Sequence, residues 1–201
     1  MANVDRDWNQ RYLDGQTPWD SGLPSRELQH ILRESEIPRG RALDLGCGSG
    51  TNAVFLAQQG FRTTGVDAAA EGLALARRRA DQAGVEVDWI EADVQGLSLA
   101  GGPFDFVFDR GCYHCCRRVD LDGYLATVRN ATRPGSLMVC LAGNADETSE
   151  YGPPRVTAAE LIGEFEPLMH IRQLRPFRFQ DADEREGPLG WSLVLERRAR
   201  E

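Results

Sequence analysis

Lysine is absent from this chain. All 23 of its basic residues are arginine, and 31 acidic residues outnumber them for a formal net charge of −8. That balance argues against a surface built to neutralise a nucleic-acid backbone, which needs clustered cations. It also removes the Lys-Ser/Thr ending of a nucleotide-triphosphate loop. No apolar run approaches the roughly 18 residues of a membrane span. The polar stretch from Met1 to Asp7 reads as neither a signal nor a transit peptide. Cysteine is scarce and odd in number, five in all, with three crowded at Cys112, Cys115 and Cys116. Such a set does not resemble the disulfide framework of a secreted protein, so a reducing cytoplasm is expected. No second Cys/His pair with zinc spacing accompanies the cluster, and no metal centre is expected.

What remains is an ordinary globular composition, 41% hydrophobic and 27% charged. At 201 residues the length suits one domain spanning 1–201, with a sizeable core. Strand-like and helix-like segments alternate through the middle, as in a parallel sheet covered by helices. Strands are predicted at Arg41 to Leu45, Thr63 to Asp67, Val85 to Glu91, Phe104 to Asp109 and Ser136 to Ala142, with helices between these first five. Leu168 to Leu174 and Trp191 to Glu196 complete seven strands, joined by a turn-rich hairpin loop from Asp181 to Pro188. Thr51 to Gln59 and the stripe Leu73, Ala76, Ala80 and Ala83 read as helices closed by Gly60 and Gly84. Asp120 is placed to cap a helix bearing Leu121, Tyr124, Leu125, Val128 and Ala131, and Thr157-x-x-Glu160 is a capping box. Ser25 caps an upstream helix carrying Leu28, Ile31 and Leu32, and Trp8 and Tyr12 lie one helical turn apart.

The densest signal is Asp44-Leu45-Gly46-Cys47-Gly48-Ser49-Gly50, where a strand runs through alternate glycines into a helix. Glycines let the backbone turn sharply and approach a ligand. A dinucleotide loop would read G-x-G-x-x-G around a pyrophosphate. Here an acid leads instead. A carboxylate at Asp44 repels a pyrophosphate but suits the ammonium and sulfonium of a methionine moiety. Asp67 ends the second strand, where an acid can accept ribose hydroxyls. Asp93 follows the third, placed to accept an adenine amino group while Val94 packs the ring. Gly46, Cys47 and Gly48 are expected to offer backbone contacts. These acids converge on one crevice at the carboxyl edge of the sheet.

In these stretches the chain resembles the class I S-adenosylmethionine-dependent methyltransferases. The matching segments are LDLGCGSG (43–50), GVDAA (65–69), EADV (91–94), FDFVFDRG (104–111) and RPGS (133–136). The resemblance implies a Rossmann-like, seven-stranded, mostly parallel α/β sheet, with helices on both faces and an antiparallel terminal strand. It also places Ala68 and Asp109 at the cofactor, with S-adenosylhomocysteine as product. Asp7-Trp8-x3-Tyr12-x5-Pro18-Trp19-Asp20-x-Gly22-x-Pro24 is similar to the lid of thiopurine, thiol and tellurite-resistance-type methyltransferases. By that likeness residues 1–39 form a helical lid over a 40–201 core, and Trp8, Tyr12 and Trp19 shield the sulfonium from water. Phe108-Asp109-Arg110-Gly111-x2-His114 resembles their loop after the fourth strand. Tyr113 stands where the family carries Phe, and Cys115-Cys116 replaces an apolar pair.

His114, with a side-chain pKa ordinarily near neutrality, is the candidate proton acceptor, with Tyr113 beside it. The alternative is a histidine that hydrogen-bonds the loop backbone. The clustered thiols either pack as small apolar groups or line an acceptor pocket suited to a soft substrate. Trp19 is a cofactor-facing aromatic or a loop anchor; Arg110 pairs with Asp109 or with an acidic substrate. Tyr151 to Arg155 forms either a pocket rim or a surface connector. The expected activity is methyl transfer to a small molecule, at sulfur or a metalloid first and a phenol-like oxygen next, without nucleic-acid or membrane partners. Rival readings are a nicotinamide-dependent oxidoreductase on a Rossmann sheet and a non-catalytic S-adenosylmethionine-binding protein.

Overall fold

A computed structural model describes residues 7–180 and 186–199 of the chain. Its strands are β1 (Arg41–Leu45), β2 (Arg62–Asp67), β3 (Val87–Glu91), β4 (Phe104–Arg110), β5 (Thr132–Asn144), β6 (Arg155–Val156), β7 (Met169–Gln180) and β8 (Glu186–Arg197). They form one sheet in the order β3-β2-β1-β4-β5-β8-β7, with β6 beside β5. All pairings are parallel except those of β8, which runs antiparallel to both β5 and β7. The expected seven-strand path is therefore present, and an eighth strand of two residues joins it. Because β8 begins at Glu186, the strands take up part of the expected Asp181 to Pro188 loop, and residues 181–185 lie outside the described residues.

The helices are α1 (Trp8–Leu13), α2 (Arg26–Glu34), α3 (Thr51–Gln58), α4 (Ala70–Ala83), α5 (Cys112–Ala131) and α6 (Ala158–Phe165). Strand side chains alternate between two cores, as the period of two requires. Met138, Cys140 and Ala142 of β5 face Tyr113, Tyr124 and Val128 of α5 and Leu161 and Phe165 of α6. Val139 and Leu141 face the opposite way, with Phe106 and Phe108 of β4, onto Leu28, Ile31 and Leu32 of α2 and Leu56 of α3. The α2 stripe is thus buried in the core, capped by the Ser25 side chain, which accepts from the Leu28 amide. By contrast, α1 buries no residue.

One helix expectation needs correction, and one helix extends further than expected. No helix separates β3 from β4 among the described residues; Gly96, Gly101 and Gly102 all take positive φ there, so the chain turns instead. The helix expected from Asp120 forms, and a further helical segment, from Cys112, precedes it. Asp120 still caps, but from inside: it is non-helical (φ −153, ψ 86) and its Oδ1 accepts from the Gly123 amide at 2.8 Å. The helix is two segments joined at an internal N-cap. The capping box at Thr157 and Glu160 forms as read, both halves present. Asp120→Ala should lower stability by about 1 kcal/mol, the usual worth of such a cap. Urea unfolding midpoints of the two proteins measure it.

Candidate active site

The β1–α3 connection turns at three glycines in left-handed backbone, Gly46 (φ 65), Gly48 (φ 54) and Gly50 (φ 77). At Gly50 a Cβ would stand 2.6 Å from the Ala76 Cβ and 2.7 Å from the Trp89 ring. Glycine there lets α3 close onto α4 and β3. The Cys47 amide donates to the Val66 carbonyl at 2.9 Å, tying the loop to β2. Arg79 of α4 clamps it from outside, donating to the Ser49 carbonyl (2.6 Å), Ser49 Oγ (2.5 Å) and Thr51 Oγ1 (2.5 Å).

Asp67 ends β2, and Asp44 and Asp109 stand one residue before the ends of β1 and β4, all at the same carboxyl edge. Asp67 accepts from the Gly48 and Ala69 amides, each at 2.8 Å. A carboxylate offers about four lone-pair sites, so Asp67 keeps acceptor capacity. Asp109 is fully buried and accepts from the Cys112 amide (3.0 Å), the Tyr113 amide (2.9 Å) and the Tyr124 hydroxyl (2.7 Å). It therefore holds the first turn of α5, and burial pushes its carboxyl up to about 7. Asp44 differs from both: it is 2% exposed, and its Oδ2 has no hydrogen-bond partner. Burial first, then Asp109 and Asp67, raise its pKa well above the ordinary range. On the other side of β2, Asp93 is exposed, with Oδ1 accepting from the Gln95 amide at 2.9 Å, and Val94 is buried. Ala68, exposed, and Ala69, buried, continue from Asp67 toward α4.

The N-terminal aromatics lie over this edge. Tyr12 packs against Gly48 and Gly72, so a side chain at either glycine would collide with its ring or hydroxyl. Trp19 meets Trp8 and Tyr12 edge-on, with centroids 5.5 Å and 6.3 Å away. The Arg11 guanidinium stands 4.3 Å from the Trp19 ring centroid, a cation–π contact. Burial raises the Tyr12 pKa, so its hydroxyl stays protonated. Arg110, at the end of β4, donates to the Trp19 carbonyl (2.9 Å) and the Gln180 carbonyl (3.2 Å), fastening the N-terminal segment to β7.

His114 is buried, and its Nδ1 accepts from the Gly143 amide at 3.0 Å. The neutral ring then carries its proton on Nε2, which makes that nitrogen a donor. The Tyr113 ring lies in the α5–α6 core and its hydroxyl donates to Glu164, which Arg117 also grips. Tyr113 is thus turned into the core. Tyr151 is 84% exposed and, with Pro153, flanks Asn144 in a shallow cleft at the end of β5.

Residues 42–135 match a methyltransferase domain. A 2-heptyl-1-hydroxyquinolin-4(1H)-one methyltransferase of Mycobacteroides abscessus is 27% identical over 195 residues, 89% of this chain and 86% of that enzyme. A solved structure from work on the conversion of a disulfide bond into a thioacetal group during echinomycin biosynthesis superposes with TM-score 0.75 at 25% identity. That match covers 90% of this chain and 85% of the other. A ubiquinone biosynthesis O-methyltransferase of Cereibacter sphaeroides is 34% identical over 109 residues, 54% of this chain. The chain spans 43% of that relative's length.

The chain carries a methyltransferase domain, and its fold is that of the class I S-adenosylmethionine-dependent methyltransferases.

The unpaired Asp44 oxygen fits that cofactor, because a cationic ammonium is what a buried, crowded carboxylate lacks. Nothing in the local sequence marks Arg79 as the clamp; only the fold aims it at the loop. Two further polar atoms of the methyltransferase, Asn144 Nδ2 and Gln180 Oε1, are buried without hydrogen-bond partners. With β8 running between β5 and β7, these residues end their strands at the same edge as Asp44.

Burial, with Arg110 and Arg118 adding, pulls the His114 pKa from 6.5 to about 3. The unfolded chain takes up this proton near pH 6.5 and the folded chain does not, so stability falls as pH drops from about 6.5 toward 3. His114→Gln keeps an acceptor for the Gly143 amide and removes the titration. Its urea midpoint should fall less between pH 7 and pH 5 than that of the parent.

Proposed function

We propose that this enzyme methylates a small acceptor that arrives already ionised, at a thiolate or an acidic hydroxyl, with the cofactor held along the carboxyl edge of β1 to β4. The buried Asp44 Oδ2, with no partner, carries the cofactor half of this reading. Asp44 receives the ammonium, and the backbone of Gly46, Cys47 and Gly48 lines the methionine end. Asp67, with acceptor capacity left after the Gly48 and Ala69 amides, takes the ribose hydroxyls beside Ala68. Asp93 and Val94 meet the adenine. Asp109 acts through the start of α5, which it anchors. Trp8, Tyr12 and Trp19 close over the crevice and exclude water.

When bound, the cofactor supplies an electrophilic methyl on sulfur, and the protein's part is alignment. The acceptor half rests on His114. Its Nδ1 is occupied by Gly143, so it does not take a proton from the acceptor; Nε2–H donates to the anionic atom instead. The Asn144 amide and the Gln180 carbonyl oxygen serve as further polar contacts for the acceptor ring or its substituents. The relative named for a hydroxyquinolinone supports an acidic hydroxyl on a planar ring, and the thiol-type lid supports sulfur.

Two measurements test this. Asp44→Ala should weaken S-adenosylhomocysteine binding at least thirtyfold by calorimetry while the thermal unfolding profile stays cooperative; unchanged affinity would reject the cofactor assignment. Turnover on an aromatic thiol, a 1-hydroxyquinolin-4-one and tellurite should be followed against pH. The rate on each productive acceptor should rise with that acceptor's own pKa. A single pKa shared by all acceptors would instead reveal a protein base and overturn the reading.

A further inference from the structure

Cys112 and Cys116 sit one turn apart at the start of α5, with their sulfurs 3.5 Å apart and both thiols free. Both are partly exposed, whereas Cys47 and Cys140 are buried. Direct oxidation does not suit the pair. A disulfide needs Cβ atoms about 3.5–4.5 Å apart, and positions four apart on a helix hold them at about 5–6 Å. Closing that gap would unwind the first turn of α5, which Asp109 pins through the Cys112 and Tyr113 amides. A single thiophilic atom bonded to both sulfurs spans the pair without moving the helix. A tetrahedral metal would need more donors, and no group of three His, Cys, Asp or Glu side chains suited to a metal occurs among the described residues. The centre that fits takes two thiolates from the protein and brings its third substituent with it.

We propose that Cys112 and Cys116 form a chelating site for a monosubstituted trivalent arsenical. Two S–H and two As–O bonds break, two As–S bonds form, and the protons leave with the oxygens as two waters. Arsenic stays trivalent and no oxidant is consumed. Soft thiol sulfur is the matching donor. The contact with Cys116, then burial, raises the Cys112 pKa, so the thiol supplies the proton that the departing oxygen needs. The Cys112 side chain also packs against Gly46, where a Cβ would lie 2.9 Å from its sulfur. The bound arsenic therefore rests against the glycine loop. The site is independent of which acceptor the enzyme methylates.

The probe is phenylarsine oxide, titrated into the reduced full-length chain and followed by native mass spectrometry. One adduct should form at equal concentrations, with a mass gain of one phenylarsine oxide less one water, and two thiols should become unreactive toward a disulfide reagent. Cys112→Ser and Cys116→Ser should each weaken binding at least a hundredfold, whereas Cys115→Ser should stay within threefold of the parent. Circular dichroism and thermal unfolding show that each variant is folded. Absence of an adduct on the parent, survival of the adduct in folded Cys112→Ser, or its loss in folded Cys115→Ser would each overturn the assignment.

Discussion

Two buried carboxylates, with a third half-buried beside them, at one edge of a sheet are the constraint from which the rest of this structure follows. Buried acids repel one another and lose hydration, so each needs an answer from its surroundings. Backbone amides supply it for two of them: Gly48 and Ala69 for Asp67, and Cys112 and Tyr113 for Asp109, with Tyr124 adding a hydroxyl. The glycine loop and the first turn of α5 thus owe their placement to the acids they satisfy. Asp44 alone keeps an oxygen without a partner. A site with one unanswered negative group in an otherwise satisfied set selects a cationic ligand over a phosphorylated one.

Arginine does the fastening that this lysine-free chain needs. The guanidinium is planar and offers several donors in fixed directions, so one side chain can join two or three carbonyls or hydroxyls. Arg79 does this for the loop at Ser49 and Thr51. Arg110 does it for the N-terminal segment, joining the carbonyls of Trp19 and Gln180. Because α1 buries no residue, the N-terminal segment is held by hydrogen bonds and by aromatic edges rather than by an apolar stripe on α1.

Helix α5 divides the motif after the fourth strand by direction. Cys112 and Cys116 share a stripe one turn apart and meet at the edge of the glycine loop. Tyr113 points into the α5–α6 core, and His114 turns back to the Gly143 amide. In the linear sequence these residues look like one cluster. A rotation of about 100° per residue sends adjacent side chains apart and brings those four apart together.

Local order was legible in the sequence. Strand periodicity, the caps at Ser25, Asp120 and Thr157, the glycine closures and the acids after β1, β2 and β3 depend on interactions within a few residues. They can be read without the fold. Tertiary structure alone decided which acid goes unpaired, that Arg79 rather than its neighbours grips the loop, and that His114 is a donor. It also decided that Asn144 and Gln180 end their strands at the same edge as Asp44. Those outcomes depend on groups distant in the chain, and on burial that raises the energy of any polar atom left without a partner; no local pattern encodes either.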